Sequence, residues 1–102
     1  MKNEWTATML LLLAAPVHAQ GQDALYVRSL AATCAACHGT EGRAAEGGSV
    51  PRLAGQSRET VAAQMRAFKA GTRPSTVMTQ LSKGFSEAQI DQIAGYFSTL
   101  KP

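Results

Sequence analysis

Two thiols and an imidazole fall within five residues, Cys34, Cys37 and His38, in the run CAACH, with Gly39 directly after. Three chemistries use such a set: a redox disulfide, part of a zinc site, or covalent attachment of haem. A thioredoxin-like CxxC sits between a strand and a helix, and this sequence shows no strand-type alternation. A structural zinc takes four ligands, usually Cys and His. Apart from His18 the chain offers two cysteines and one histidine, so a carboxylate would have to complete that site. C-x-x-C-H is the signature of c-type haem attachment. Cysteines three apart on a helical turn reach two vinyl groups, and a histidine beside the second is held beneath the iron. The spacing predicts one covalently bound haem c on Cys34 and Cys37, with His38 as its first axial ligand.

The second axial ligand decides between electron transfer and binding of small molecules at the iron. Methionine is the candidate, and beyond the N-terminal segment there are Met65 and Met78. Met65 falls on an apolar helical stripe with Val61 and Phe68, where core packing accounts for it. Met78 follows a Pro-containing turn forty residues beyond His38, enough chain to wrap a haem edge. The expected metal ligands are therefore His38 and Met78. A thioether ligand raises the reduction potential and closes the iron, which favours electron transfer over peroxidase or sensor chemistry.

The elements that must position these residues are all helical. Asp23 is expected to cap a first helix with Leu25, Leu30 and Ala31 as its stripe. Residues 39–55 contain five glycines and a proline, and read as a long loop that wraps something. Ser57 caps a second helix that Gly71 ends. A short segment, residues 75–83, follows Pro74 and closes at Gly84. Ser86 and Gln89 form a capping box for a last helix with Ile90, Ile93, Phe97 and Leu100 on one side.

Residues 1–19 have the three-part pattern of a secretory signal peptide: Lys2, the uncharged run 6–16, and small residues up to Ala19. That run is shorter than the roughly 20 apolar residues a membrane span needs. Cleavage after Ala19 leaves residues 20–102, expected to form one mono-haem domain in the periplasm with no stable membrane span. Losing Lys2 together with Glu4 leaves the net charge at +3. With Trp5 gone the aromatics are Tyr26, Phe68, Phe85, Tyr96 and Phe97. So few make a thin core that a porphyrin would complete. Basic residues are concentrated at Arg43, Arg52, Arg58, Arg66, Lys69 and Arg73, read either as a solvated surface or as a docking face for an acidic partner. Nucleic acid is excluded as a partner for want of any Arg/Lys-aromatic reading motif.

With these residues in place, the chain resembles the class I cytochromes c over nearly all of residues 23–100. The shared order is helix, CxxCH, loop, helix, Met, helix, and Pro51-Arg52-Leu53 is similar to the family's Pro-x-Leu segment. The resemblance implies an all-α class I cytochrome c fold: three main helices and a short one around a covalently bound haem. It further implies that the Pro51 carbonyl accepts the Nδ1 proton of His38 and that Leu53 packs on the proximal haem face. The first and last helices would cross closely at Gly95, with Tyr96 or Phe97 filling the contact. Residues 68–97, above all Ser75-Thr76-Val77-Met78 and Lys83-Gly84-Phe85, resemble the cytochrome subunit of flavocytochrome c sulfide dehydrogenases. That likeness implies an FAD-containing, sulfide-oxidising partner and an electron carrier without bond chemistry of its own. A free shuttle serving a terminal oxidase or other reductase is the alternative, and a small haem peroxidase or ligand sensor the third.

Overall fold

The computed structural model describes residues 18–102, with side-chain environments from Asp23 onward. Five helices and one 3-10 turn follow in order: α1 (His18–Ala32), α2 (Ala35–His38), the turn Thr40–Gly42, α3 (Arg58–Ala70), α4 (Val77–Lys83) and α5 (Glu87–Ser98). No strand occurs among the described residues. The fold is all-α.

Local signals set most of the boundaries. The Ser57 hydroxyl accepts the Thr60 amide at the start of α3, and Gly71 ends it in the left-handed conformation. At α5, the Gln89 amide donates to the Ser86 hydroxyl and the Gln89 side chain accepts the Ser86 amide, a complete capping box. The start of α1 differs from expectation. Asp23 lies inside the helix, which already includes His18. The expected cleavage point after Ala19 also falls within α1, whereas residues 1–17 of the expected signal peptide lie outside the described residues.

The core forms where α5 packs on α3 and α1. Ile90, Ile93, Ala94 and Phe97 face Val61, Ala62 and Met65 of α3 and Ala31 of α1. Fully burying Phe97 or either isoleucine contributes about 1.5–3 kcal/mol each. Phe97 is the one aromatic in this buried set, so the core is as thin as the composition implied. Leu25 does not join it: it is 64% exposed. Six residues of helix separate it from Ala31, which turns it well off that face; the inward stripe runs through Val27, Leu30 and Ala31 instead.

Gly95 also differs from expectation. A Cβ built there would find its three nearest atoms all in the Arg58 guanidinium group, at 3.4 Å or beyond, rather than in α1. The end of a long side chain can shift, so the glycine is not required by close backbone approach. Gly95→Ala is accordingly expected to stabilise the protein by about 1 kcal/mol, the helix propensity difference. Thermal unfolding checks this; a lowered midpoint would show that α1 does close on this position.

The concentration of basic residues is broken by the fold. Arg66 pairs with Glu87 at 2.7 Å and with Asp91 at 2.8 Å, and Lys69 lies 4.0 Å from Glu87. These exposed pairs add little stability, but they take two cations out of any docking face. Arg73 stacks over the Phe68 ring, 4.7 Å from its centroid. Among the described residues, no helix is long and apolar enough to cross a membrane.

Candidate functional site

The site grows out of the end of α1. The Cys34 amide donates to the Ala31 carbonyl at 3.1 Å, and the Cys34 carbonyl accepts the His38 amide at 2.9 Å. One turn of helix, α2, therefore holds Cys34, Cys37 and His38 together. Gly39 follows with φ 84°, and a Cβ there would lie 2.5 Å from the Arg43 carbonyl oxygen. Only glycine lets the chain turn away so sharply after the histidine.

His38 is 8% exposed, and its Nδ1 lies 2.7 Å from the Pro51 carbonyl oxygen. A carbonyl only accepts, so Nδ1 carries the proton and donates it. That fixes the tautomer and leaves the Nε2 lone pair for a metal. Pro51 is itself exposed; its segment is anchored just beyond, where the Leu53 and Ala54 amides both donate to the Gly42 carbonyl at 2.8 and 3.2 Å. Leu53 is half-buried and packs against the helical core.

The cysteines differ in setting. Cys37 is exposed and Cys34 half-buried. Burial pushes the Cys34 thiol up, outweighing the opposite pull of a hydrogen bond with the Thr33 side chain. A thioredoxin-like redox disulfide sits between a strand and a helix, and no strand occurs among the described residues, which counts against that chemistry. Zinc fares no better, since among the described residues no group of three or more His, Cys, Asp and Glu side chains converges on a possible metal position.

Met78 is half-buried at the second position of α4, where its amide donates to the Ser75 hydroxyl at 3.1 Å. It belongs to an element that packs on α3 rather than on α2, so it would approach an iron from outside the CxxCH turn. Met65 lies in the core. The neighbours of Met78 are Val77 and Leu81, 58% and 50% exposed, and Val50 beside Pro51 is exposed as well. Apolar side chains uncovered beside the predicted thioether and beside the segment that holds His38 suit a large flat apolar group. The donors agree: among the described residues they do not converge on a bare-ion position, whereas a macrocycle that brings four nitrogens of its own asks only an imidazole Nε2 and a thioether of the chain. The residues present fit a haem.

One set of side chains in this region has no precursor in the sequence reading. The Tyr96 hydroxyl donates to Glu41 Oε2 at 2.5 Å, and Arg28 Nη2 lies 3.6 Å from Glu41 Oε1. Glu41 sits in the left-handed region, φ 56° and ψ 25°, a conformation that costs a non-glycine residue roughly 1–2 kcal/mol. The glycines on either side, Gly39 and Gly42, hint at a tight turn, yet nothing local points to a partner 55 residues away. The hydrogen bond to Glu41 is the main cause that raises the Tyr96 phenol above its usual value, with burial adding to it. The neutral phenol's contribution is intact below the ordinary tyrosine value of about 10 and is lost as pH rises through the raised one. Tyr96→Phe should therefore lose stability less steeply than the parent above about pH 10, as measured by chemical denaturation across that range.

An all-helical chain with a CxxCH turn and a carbonyl-held histidine defines the class I c-type cytochromes. Residues 22–97 match the family described as cytochrome C oxidase, cbb3-type, subunit III, and the chain belongs to this cytochrome c family. It is 43% identical over 72 residues to the thiosulfate dehydrogenase electron acceptor of Thiomonas intermedia, which covers 71% of this chain and 33% of that protein. It is 39% identical over 71 residues to the cytochrome subunit of sulfide dehydrogenase from Chlorobaculum tepidum, covering 70% of this chain and 63% of that one. A solved structure of Acidithiobacillus ferrooxidans cytochrome c4 superposes with a TM-score of 0.65 at 34% identity, over 72% of this chain and 49% of that chain. The chain thus spans between about a third and three-fifths of the length of these relatives. They are electron carriers or electron-accepting subunits rather than catalytic subunits, and the group this family holds is haem c. That group supplies one-electron cycling of its iron between ferric and ferrous states.

Proposed function

We propose that this chain is a periplasmic mono-haem electron carrier. One haem c is attached through Cys34 and Cys37 in residues 20–102, after cleavage of a signal peptide at Ala19. His38 and Met78 are the axial ligands, Pro51 orients His38, and Leu53 packs on the proximal haem face. The observation that carries this reading is the 2.7 Å contact between His38 Nδ1 and the Pro51 carbonyl. It commits one ring nitrogen and prepares the other as a ligand, two residues from an apolar side chain. No bond of a substrate is made or broken by the chain's own residues; they hold the haem, shield it and present an edge to partners.

The electron donor is a sulfide-oxidising, FAD-containing subunit. Likeness to the Chlorobaculum tepidum sulfide dehydrogenase cytochrome subunit supports this assignment. Likeness to the Thiomonas intermedia thiosulfate dehydrogenase electron acceptor supports a second reading, a freely diffusing acceptor for another sulfur-compound dehydrogenase or a shuttle to an oxidase. Arg52 and Arg73, outside the Arg66 and Lys69 ion pairs, are among the cations left to meet an acidic partner near the haem edge. Purification from the native host separates the two readings. Co-elution with a flavin-absorbing subunit in fixed ratio is expected of the first, while a haem protein that always runs alone and is reduced by thiosulfate dehydrogenase instead removes it.

A further inference from the structure

The C-terminal part of α5 holds the segments that follow each partner of the His38–Pro51 hydrogen bond. On one side, Tyr96 donates to Glu41 at 2.5 Å, and a Cβ on Gly42 would lie 2.7 Å from the Phe97 ring. On the other, the Gly55 amide donates to the Phe97 carbonyl at 3.0 Å. Between these supports runs a short relay. The Gly42 carbonyl accepts the Leu53 and Ala54 amides, and those residues lie two and three positions after Pro51, whose carbonyl accepts from His38. Glu41 stands at the head of the relay in a backbone conformation that glutamate rarely adopts, φ 56°. Such conformations persist where the surroundings over-determine them, and here the surroundings are the Tyr96 hydroxyl and Arg28.

We propose that Tyr96 and Glu41 are a positioning pair: their hydrogen bond fixes the Thr40–Gly42 turn, and through it the Pro51 carbonyl, so that the His38 imidazole is held in one orientation. Neither side chain touches the imidazole. Both act through the backbone, with Arg28 as a weaker second support for the same carboxylate, 3.6 Å away and two-thirds exposed. The pair rests on the reading of His38 as an iron ligand and adds to it the device that keeps the ligand's outer hydrogen bond short. Weakening that bond makes the imidazole a poorer donor to ferric iron, so loss of the pair also shifts the reduction potential upward.

The test uses the reduced holoprotein labelled with 15N-histidine, in which the His38 Nδ1 proton is followed by NMR. Tyr96→Phe removes the donor and leaves the carboxylate's charge. Glu41→Gln removes the charge and keeps an oxygen that accepts from Tyr96, and Glu41→Ala removes both. Exchange of the Nδ1 proton with solvent is expected to quicken roughly five- to tenfold in Tyr96→Phe and Glu41→Ala, the scale of one lost hydrogen bond, with an upward potential shift in Tyr96→Phe. Glu41→Gln should exchange close to the parent rate, a rescue that a purely electrostatic role would not give. If Glu41→Ala does not fold, the other two variants decide the matter. Unchanged exchange in Tyr96→Phe, with only a lower melting temperature, overturns the positioning role while leaving His38 as ligand. A parent protein whose His38 Nε2 resonance is not that of an iron-bound nitrogen overturns both.

Discussion

Cys34→Ala/Cys37→Ala, produced alongside the parent in a host that matures c-type cytochromes, is expected to retain no haem after acid–acetone extraction, where the parent keeps one per chain. The argument is geometric and energetic together. α2 is a single turn, and Cys34 just before it and Cys37 within it are the only cysteines in the sequence. Without them nothing remains to bond the porphyrin edge. The consequence should reach the fold, because among the described residues Phe97 alone is a fully buried aromatic and domains of this size are marginal without a cofactor or cross-link. Far-UV circular dichroism of the variant should show loss of helix together with loss of colour. A variant that stays red after extraction would place the attachment elsewhere.

Met78→Ala has the second large effect. Loss of the thioether is expected to abolish the far-red sulfur-to-iron band of the oxidised protein. It should also lower the reduction potential by on the order of a few hundred millivolts, since axial ligands span about 0.8 V. The sign follows from the ligand: thioether favours ferrous iron, and the water or hydroxide that replaces it favours ferric. Met65→Ala provides the contrast. Met65 is buried among Val61, Ala62 and the isoleucines of α5, so its removal should cost about 2–5 kcal/mol of stability and leave the band in place. Exchange of these two outcomes would assign the ligand to Met65.

How far the sequence led depends on how local each signal was. Ser57 with Gly71, and Ser86 with Gln89, act within one turn of the helices they bound, and both are read directly from the chain. The CxxCH turn is of the same kind, five residues that carry their own geometry. Asp23 misled because a capping residue type inside a helix looks the same in sequence as one at its end. Leu25 misled because the stripe was assembled without the rotation that six residues impose. The basic run is open between a solvated surface and a docking face, and its counter-charges are not legible: Glu87 and Asp91 lie 21 and 25 residues downstream of Arg66 and meet it only across the α3–α5 interface. Gly95 meets the Arg58 guanidinium rather than α1, since a glycine shows that something is near, not what. The Tyr96–Glu41 contact was the least legible, joining residues 55 apart through a backbone conformation that no composition rule anticipates.

Three of these differences, at the basic run, Gly95 and Tyr96, involve a side chain whose neighbour is fixed only once α5 has docked, whereas the two thiols and the imidazole sit on one continuous stretch. The His38–Pro51 contact stands between the two cases: its partners are 13 residues apart, and likeness to a family, not spacing, implies it.

The most direct measurement is the intact mass of the mature protein under denaturing conditions, taken with its reduced and oxidised absorption spectra. A mass equal to residues 20–102 plus a single haem, with a far-red sulfur-to-iron band in the oxidised state, is the predicted result. A polypeptide that weighs only its amino acids and shows no visible absorption after maturation would contradict it.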